Sequence, residues 1–272
     1  MAISLFWGVS PHLACQKSSL MPDASGSPVL SGSPAPDSTA RAGSSADTTR
    51  LRMLALGDSY TIGQSVSEKD RYPQQLVQKL CTNEHICFEE PQIIATTGWT
   101  TGNLLDALAA TGTFGSGPSG SGSSGSGPAP SGSGLSAPYQ AVTLLIGVNN
   151  QFQGRSQEEY TTQLSTLLQR SIALAGNQPA HVLVLSIPDY SVTPFGQSTG
   201  NAAAIVRSID SFNTICHHLC DVFKVNWLDV TAESRKAAND PTLIAADGLH
   251  FSGKEYEIWA RLMEPIVKGM VR

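Results

Sequence analysis

Residues 51–61 read Leu-Arg-Met-Leu-Ala-Leu-Gly-Asp-Ser-Tyr-Thr. A mostly apolar run, 51–56, stops at Gly57-Asp58-Ser59, residue types that favour a turn. The run does not alternate polar with apolar side chains, so it suits a strand covered on both faces rather than one lying against water. Working outward, the same motif recurs at 92–95, 141–146, 181–187 and 223–228. Between these runs the apolar residues fall at helical spacing over 70–80, 101–110, 157–175 and 201–219, with a last helix after Ser252. Asp70 is a candidate N-cap and Pro73 is tolerated in a first turn. Ser156 with Glu159, and Ser252 with Glu255, have capping-box spacing.

Strand and helix thus alternate through five repeats, which predicts a three-layer αβα fold of the α/β class. The five parallel strands would follow a flavodoxin-like order, with helices on both faces. Ligands of such sheets sit beyond the carboxyl ends of the strands. That rule tests any candidate site independently of its chemistry.

Two stretches do not fit the repeat. Residues 115–134, GSGPSGSGSSGSGPAPSGSG, read as a disordered Gly/Ser-rich insert whose ends, as a random coil, would lie about 25 Å apart. Lengthening a loop costs little, so the insert need not divide the domain. Residues 1–50 start with an apolar segment (3–9), pass through His12-Leu13-Ala14-Cys15, and continue as a Ser/Gly/Pro/Ala/Asp-rich stretch suited to a tether. The quartet ending at Cys15 is similar to the lipobox of bacterial lipoproteins, with His12 where Leu is preferred. The expected organisation is therefore a signal or lipoprotein-like N-terminus over 1–50 and one folded domain over 51–272. An exported chain, periplasmic or held to a membrane by a lipid on Cys15, is the expected location, with the cytoplasm as the alternative.

The bulk numbers agree with a globular domain. Of 272 residues 40% are hydrophobic, and 17 basic against 22 acidic residues give a net charge of −5. No basic cluster marks a nucleic-acid partner. No run reaches the ~18 apolar residues of a spanning helix. Cys81 with Cys87 and Cys216 with Cys220 form two close pairs, either short-loop disulfides in an oxidising compartment or buried thiols in a reducing one.

The chemistry gathers at the predicted carboxyl edge. Gly57-Asp58-Ser59 ends the first strand, Gly98 follows the second and Gly147-Val148-Asn149-Asn150 follows the third. Asp247-Gly248-Leu249-His250 lies between the fifth strand and the last helix. A serine hydroxyl becomes a useful nucleophile when a base takes its proton, and imidazole suits that task near neutral pH. The base needs an acceptor on its other nitrogen, which Asp247, three residues before His250, can supply. Backbone N–H groups at Ser59 and Gly98 and the Asn149 amide could hold a developing oxyanion.

Ser59, Gly98, Asn149 and His250 resemble the four signature residues of the SGNH, or GDSL, hydrolases. Gly57-Asp58-Ser59-Tyr60-Thr61 resembles that family's first block, Asp247-x-x-His250 its last, and Ser186-Ile187-Pro188-Asp189-Tyr190 a loop of bacterial members. The resemblance spans about 51–271 without the insert. It implies an esterase, active on short acyl or acetyl esters of small molecules or glycans, with Ser59, Asp247 and His250 catalytic and Ser59, Gly98 and Asn149 as oxyanion donors. The family pattern Gly-x-Asn-Asp departs here to Asn150, which leaves Asn150 as a second candidate donor. The departure and the tether also motivate an alternative, a surface-tethered carbohydrate-binding protein on an inactive fold of this kind.

Other constellations are weaker. Cys216-His217-His218-Leu219-Cys220 has zinc-type residues, but on a helix the cysteines share a face and the histidines point elsewhere. No metal site is expected. Gly-x-Ser-x-Gly, Walker and dinucleotide motifs are missing, so no cofactor is expected. Trp99 and Phe195 are candidate pocket residues, and the domain is expected to be a monomer.

Overall fold

The computed structural model describes residues 50–114 and 135–272. The expected tether, the Cys15 anchor and the insert at 115–134 lie outside the described residues. Five parallel strands, β1 (Met53–Gly57), β2 (Gln92–Ala95), β3 (Ala141–Leu145), β4 (Val182–Leu185) and β5 (Asn226–Leu228), form one sheet in the order β2-β1-β3-β4-β5. This is the flavodoxin-like order the repeat predicts. Every residue of β1, β3 and β4 is buried, which explains their unbroken apolar runs.

Parallel neighbours require crossovers, and their right-handedness sorts the helices into two layers. The first crossover carries α2 (Tyr72–Glu84), which packs against the terminal helix α9 (Gly253–Met270). Tyr72 meets Tyr256 and Trp259 at ring-centroid distances of 6.4 Å in both cases. The later crossovers run the other way along the sheet and carry α3 (Thr101–Ala110), α5 (Gln157–Leu174) and α7 (Ala202–Phe223). Here α5 packs between α3 and α7, so the opposite face is covered too.

Several local expectations change. α7 runs past the expected end at 219 to Phe223, and β5 starts at Asn226 rather than at 223, because Phe212, Cys216, Leu219 and Cys220 continue one buried face of the helix. The helix ends at Lys224, which adopts φ +59°. α2 starts at Tyr72 after Arg71, and Asp70 lies in a preceding short 3₁₀ turn. Ser156 caps α5 by accepting from Glu159 N. The second capping box does not form: Ser252 Oγ donates to the Thr242 carbonyl, and Glu255 turns inward to accept from Trp259 Nε1 at 2.7 Å.

The cysteine pairs differ. Cys81 and Cys87 form a disulfide, while Cys216 and Cys220 are free and buried. The insert's flanks are not ~25 Å apart as the random-coil estimate has it; Thr113 Oγ1 donates to the Leu135 carbonyl at 3.4 Å. Leu135 is buried and the Arg170 guanidinium lies over Phe114, so packing of the flanks sets their separation.

Candidate active site

The first crossover opens with a tight turn that only glycine permits. A Cβ on Gly57 would sit 2.3 Å from the Leu145 carbonyl of the neighbouring strand and 2.1 Å from Thr61 Oγ1. The chain therefore passes directly from β1 into a one-turn helix, α1 (Ser59–Ile62), with Ser59 first. Asp58 caps that turn, its Oδ1 accepting from Tyr60 N at 3.0 Å. Asp58 is buried, its Oδ2 has no partner among the described residues, and burial pushes its carboxyl up to about 7. Ser59 N–H donates to no acceptor among the described residues, and Ser59 lies at the sheet's carboxyl edge, after β1.

The other segments arrive at the same edge. Gly98, beyond β2, has φ +86°, and its hypothetical Cβ would meet open space, so backbone conformation rather than crowding calls for glycine. Asn149 lies on a short helix, α4 (Val148–Phe152), directly after β3. Its Nδ2 donates to the Trp99 carbonyl at 2.9 Å. One amide hydrogen is thereby fixed, which orients the other. Ser59, Gly98, Asn149 and His250 all line one pocket of about 140 Å³.

Asp247 and His250 make the contact their spacing predicts. His250 Nδ1 lies 2.6 Å from Asp247 Oδ2, and Asp247 Oδ1 accepts from the Leu249 and His250 N–H groups, both at 2.9 Å. Ser65 Oγ donates to Asp247 Oδ2 at 2.6 Å. Partial burial pushes the Asp247 carboxyl up, but the Ser65, Leu249 and His250 hydrogen bonds outweigh it and hold the group well below the usual carboxylate range. An ionised carboxylate only accepts, so Nδ1 carries a hydrogen, and in the neutral ring the lone pair is then on Nε2. The ring is braced by Tyr60, edge-on at 5.6 Å. Ser59 Oγ and His250 share the pocket without a direct hydrogen bond, a link that commonly tightens only when substrate binds.

Asn150 has a different task from Asn149. It is fully buried; Oδ1 accepts from Thr101 N at 2.9 Å and Nδ2 donates to Thr101 Oγ1 at 2.8 Å. Thr101 Oγ1 in turn donates to Gln163 Oε1, and Gln163 Nε2 to Glu159 Oε1 at 3.2 Å. The side chain is thus spent tying the β3 loop to α3 and α5. This neutral donor is what the chain of bonds needs, and it accounts for asparagine where the family pattern has aspartate.

Sequence reasoning missed Ser65, the Trp99 carbonyl, Phe152 and Tyr190. Trp99 contributes its backbone while its ring packs on the core, whereas Phe195 lines the pocket as expected. Phe152 follows Asn149 by three residues, a proximity that could have signalled it. Ser65 carries no such signal. At the far side, Cys216 and Cys220 are buried while His217 is exposed and stacks on Trp227 at 5.1 Å. Among the described residues, no three or more His, Cys, Asp or Glu side chains are grouped to hold a metal ion, and no helix is long and apolar enough to cross a membrane.

Solved structures share this fold at low sequence identity. The crystal structure of TesA is 16% identical with a TM-score of 0.56, covering 81% of this chain and 99% of that one. An acetylxylan esterase, Axe2, from Geobacillus stearothermophilus is 15% identical with a TM-score of 0.53, covering 82% and 96%. A lipase/acylhydrolase from Enterococcus faecalis is 16% identical with a TM-score of 0.54, covering 82% and 97%. No curated protein matches the chain in sequence. The family model for GDSL-like lipases and acylhydrolases matches residues 55–258, three quarters of the chain and every residue placed at the pocket above, and the protein belongs to that family.

Proposed function

We propose that the protein is a serine esterase that cleaves carboxylic esters through an acyl-enzyme at Ser59. The observation that carries this reading is the 2.6 Å contact from His250 Nδ1 to Asp247, which in the neutral imidazole places the lone pair on Nε2, in a pocket shared with Ser59. Nε2 takes the Ser59 hydroxyl proton as Oγ bonds to the ester carbonyl carbon. The carbonyl oxygen becomes an oxyanion held by Ser59 N, Gly98 N and the free Asn149 amide hydrogen. The intermediate collapses, the carbon–oxygen bond to the alcohol breaks, and Nε2–H protonates the leaving oxygen. Water then repeats the sequence against the acyl-enzyme, releasing the carboxylic acid and restoring Ser59. A short acyl group is the substrate class proposed, on a small-molecule or glycan alcohol. The family's name, lipase and acylhydrolase, and an acetylxylan esterase of the same fold support an ester substrate.

The test is hydrolysis of p-nitrophenyl esters by the full chain and by Ser59→Ala. The expected loss in kcat is about 10⁴-fold or more, and about 10²–10³-fold for Asn149→Ala. Wild-type turnover in Ser59→Ala would remove the serine mechanism. The carbohydrate-binding alternative predicts instead no turnover on any ester and no fluorophosphonate labelling of Ser59. Export, with a lipid on Cys15, is the location proposed. The Cys81–Cys87 disulfide supports an oxidising compartment. Intact mass of the N-terminal fragment, with or without acyl chains on Cys15, decides the anchor.

A further inference from the structure

Four large apolar side chains are exposed among the described residues, and two of them, Phe152 and Phe195, are neighbours at the pocket. Phe152 is 57% and Phe195 37% exposed, and their ring centroids lie 6.1 Å apart. Tyr190 completes a triangle, 6.3 Å from Phe152 and 6.4 Å from Phe195. The three rings come from separate segments: the end of α4, a turn after β4, and the short helix α6 (Pro194–Ser198). Apolar surface left open to water in this way is costly and tends to mark a binding surface.

One member of the triangle is held rigidly. Tyr190 is buried and its hydroxyl donates to Gln151 Oε1 at 3.0 Å. The preceding residue, Asp189, is fully buried; its N–H donates to Ser234 Oγ and its Oδ2 accepts from Arg235 Nε, both at 2.8 Å. Tyr190 is therefore a fixed back wall, with two phenylalanines standing free of it. Phe152 and Val148, one turn apart on α4, flank Asn149, so the apolar surface begins beside the atom proposed to hold the ester oxygen.

We propose that Phe152, Tyr190 and Phe195 form an acyl subsite matched to chains of about four to six carbons, rather than to acetyl. The inference rests on the serine esterase reading and adds its acyl specificity. Size favours that length: an enclosed apolar cavity of about 150 Å³ accommodates benzene, a six-carbon molecule, and this open-sided pocket, which also admits the ester group, is about 140 Å³. The lower limit follows from the open rings, which an acetyl methyl is too short to cover. Each methylene buried against them is worth about fourfold in kcat/KM.

The experiment measures kcat/KM for p-nitrophenyl acetate, butyrate, hexanoate, octanoate and palmitate, on wild type, Phe152→Ala and Phe195→Ala. A second arm uses ethyl to hexyl acetates, which vary the alcohol alone. The expected result is a maximum at butyrate to hexanoate, roughly tenfold or more above acetate. In each variant the hexanoate-to-acetate ratio of kcat/KM should fall roughly fivefold or more. Because both phenylalanines are exposed, these variants should fold normally, and a general structural defect would lower both substrates alike. A maximum at acetate, an equal loss on acetate and hexanoate, or a steeper dependence on the alcohol chain would overturn the proposal while leaving the esterase intact. If no ester of any length is turned over and fluorophosphonate leaves Ser59 unlabelled, the esterase reading and this inference fall together.

Discussion

Replacing Asn150 with aspartate would restore the residue usual in the family pattern, yet the structure predicts that Asn150→Asp harms this chain. The position is fully buried, and the amide donates to a Thr101 hydroxyl that is already donating to Gln163. The introduced carboxyl, while protonated, can still donate to Thr101 Oγ1, so at low pH the variant should fold almost as well as wild type. Once ionised it only accepts, and the hydroxyl cannot serve the new carboxylate and Gln163 together. If burial raises this carboxyl from ~4 in the unfolded chain to ~6 in the folded one, the variant loses ~2.7 kcal/mol above pH 6. The sign follows from linkage: the loss is negligible below pH ~4, grows between ~4 and ~6, and is complete by pH 8. In a domain of this size it lowers Tm by roughly 5–10 °C. Thermal denaturation of variant and wild type, compared at pH 4 and pH 8, measures the difference directly. Glu159→Gln should recover part of the loss at pH 8, because Gln163 can then reverse its amide without placing oxygen against a carboxylate. Equal stability of Asn150→Asp and wild type at pH 8, or the same deficit at both pH values, would refute the account of this network.

Three further outcomes follow from other contacts. Ser65→Ala removes the hydroxyl that shares Asp247 Oδ2 with His250; because Ser65 is exposed the bond is worth about 1 kcal/mol, so kcat/KM should fall about fivefold, and the more basic carboxylate should move the acidic limb of the pH–rate profile upward. An unchanged profile would show that Ser65 does not act through Asp247. Glu255 is fully buried with one oxygen unpartnered among the described residues, and burial pushes its carboxyl up to about 7. Its destabilising effect is absent below its unfolded value near 4.5 and grows as pH rises to about 7, so Glu255→Gln should flatten the stability–pH curve over that window in thermal melts. Cys81→Ser with Cys87→Ser opens a short loop at one end of α2 and should cost ~2 kcal/mol in urea denaturation, with kcat on p-nitrophenyl butyrate unchanged because the disulfide lies outside the pocket.

The sheet and the place where the candidate site's residues meet were readable in the sequence for the same reason. β1, β3 and β4 are buried on both faces, so their apolar runs and the helices between them imply strand order through the handedness of crossovers. The order then places Ser59, Gly98, Asn149 and His250 at one edge before any contact is known. At those positions the proposed chemistry dictates residue type: a nucleophile, a base and oxyanion donors. The supporting groups obey no such rule. Asp247 needs a donor on Oδ2, and the one it has is Ser65, 182 residues away in sequence, on a loop with positive φ at that residue. Asn149 needs an acceptor, and a backbone carbonyl supplies it, so no side chain at position 99 records the task. Asn150 looked like a departure from the pattern because its partners, Thr101 and Gln163, lie on two other helices. Once they are placed, the missing charge is a local adjustment: a directed series of donors ending at Glu159 has no use for a carboxylate at its head. The pattern position and its neighbours must therefore change together, which is why a single-site return to aspartate should fail where the double change with Glu159→Gln partly succeeds.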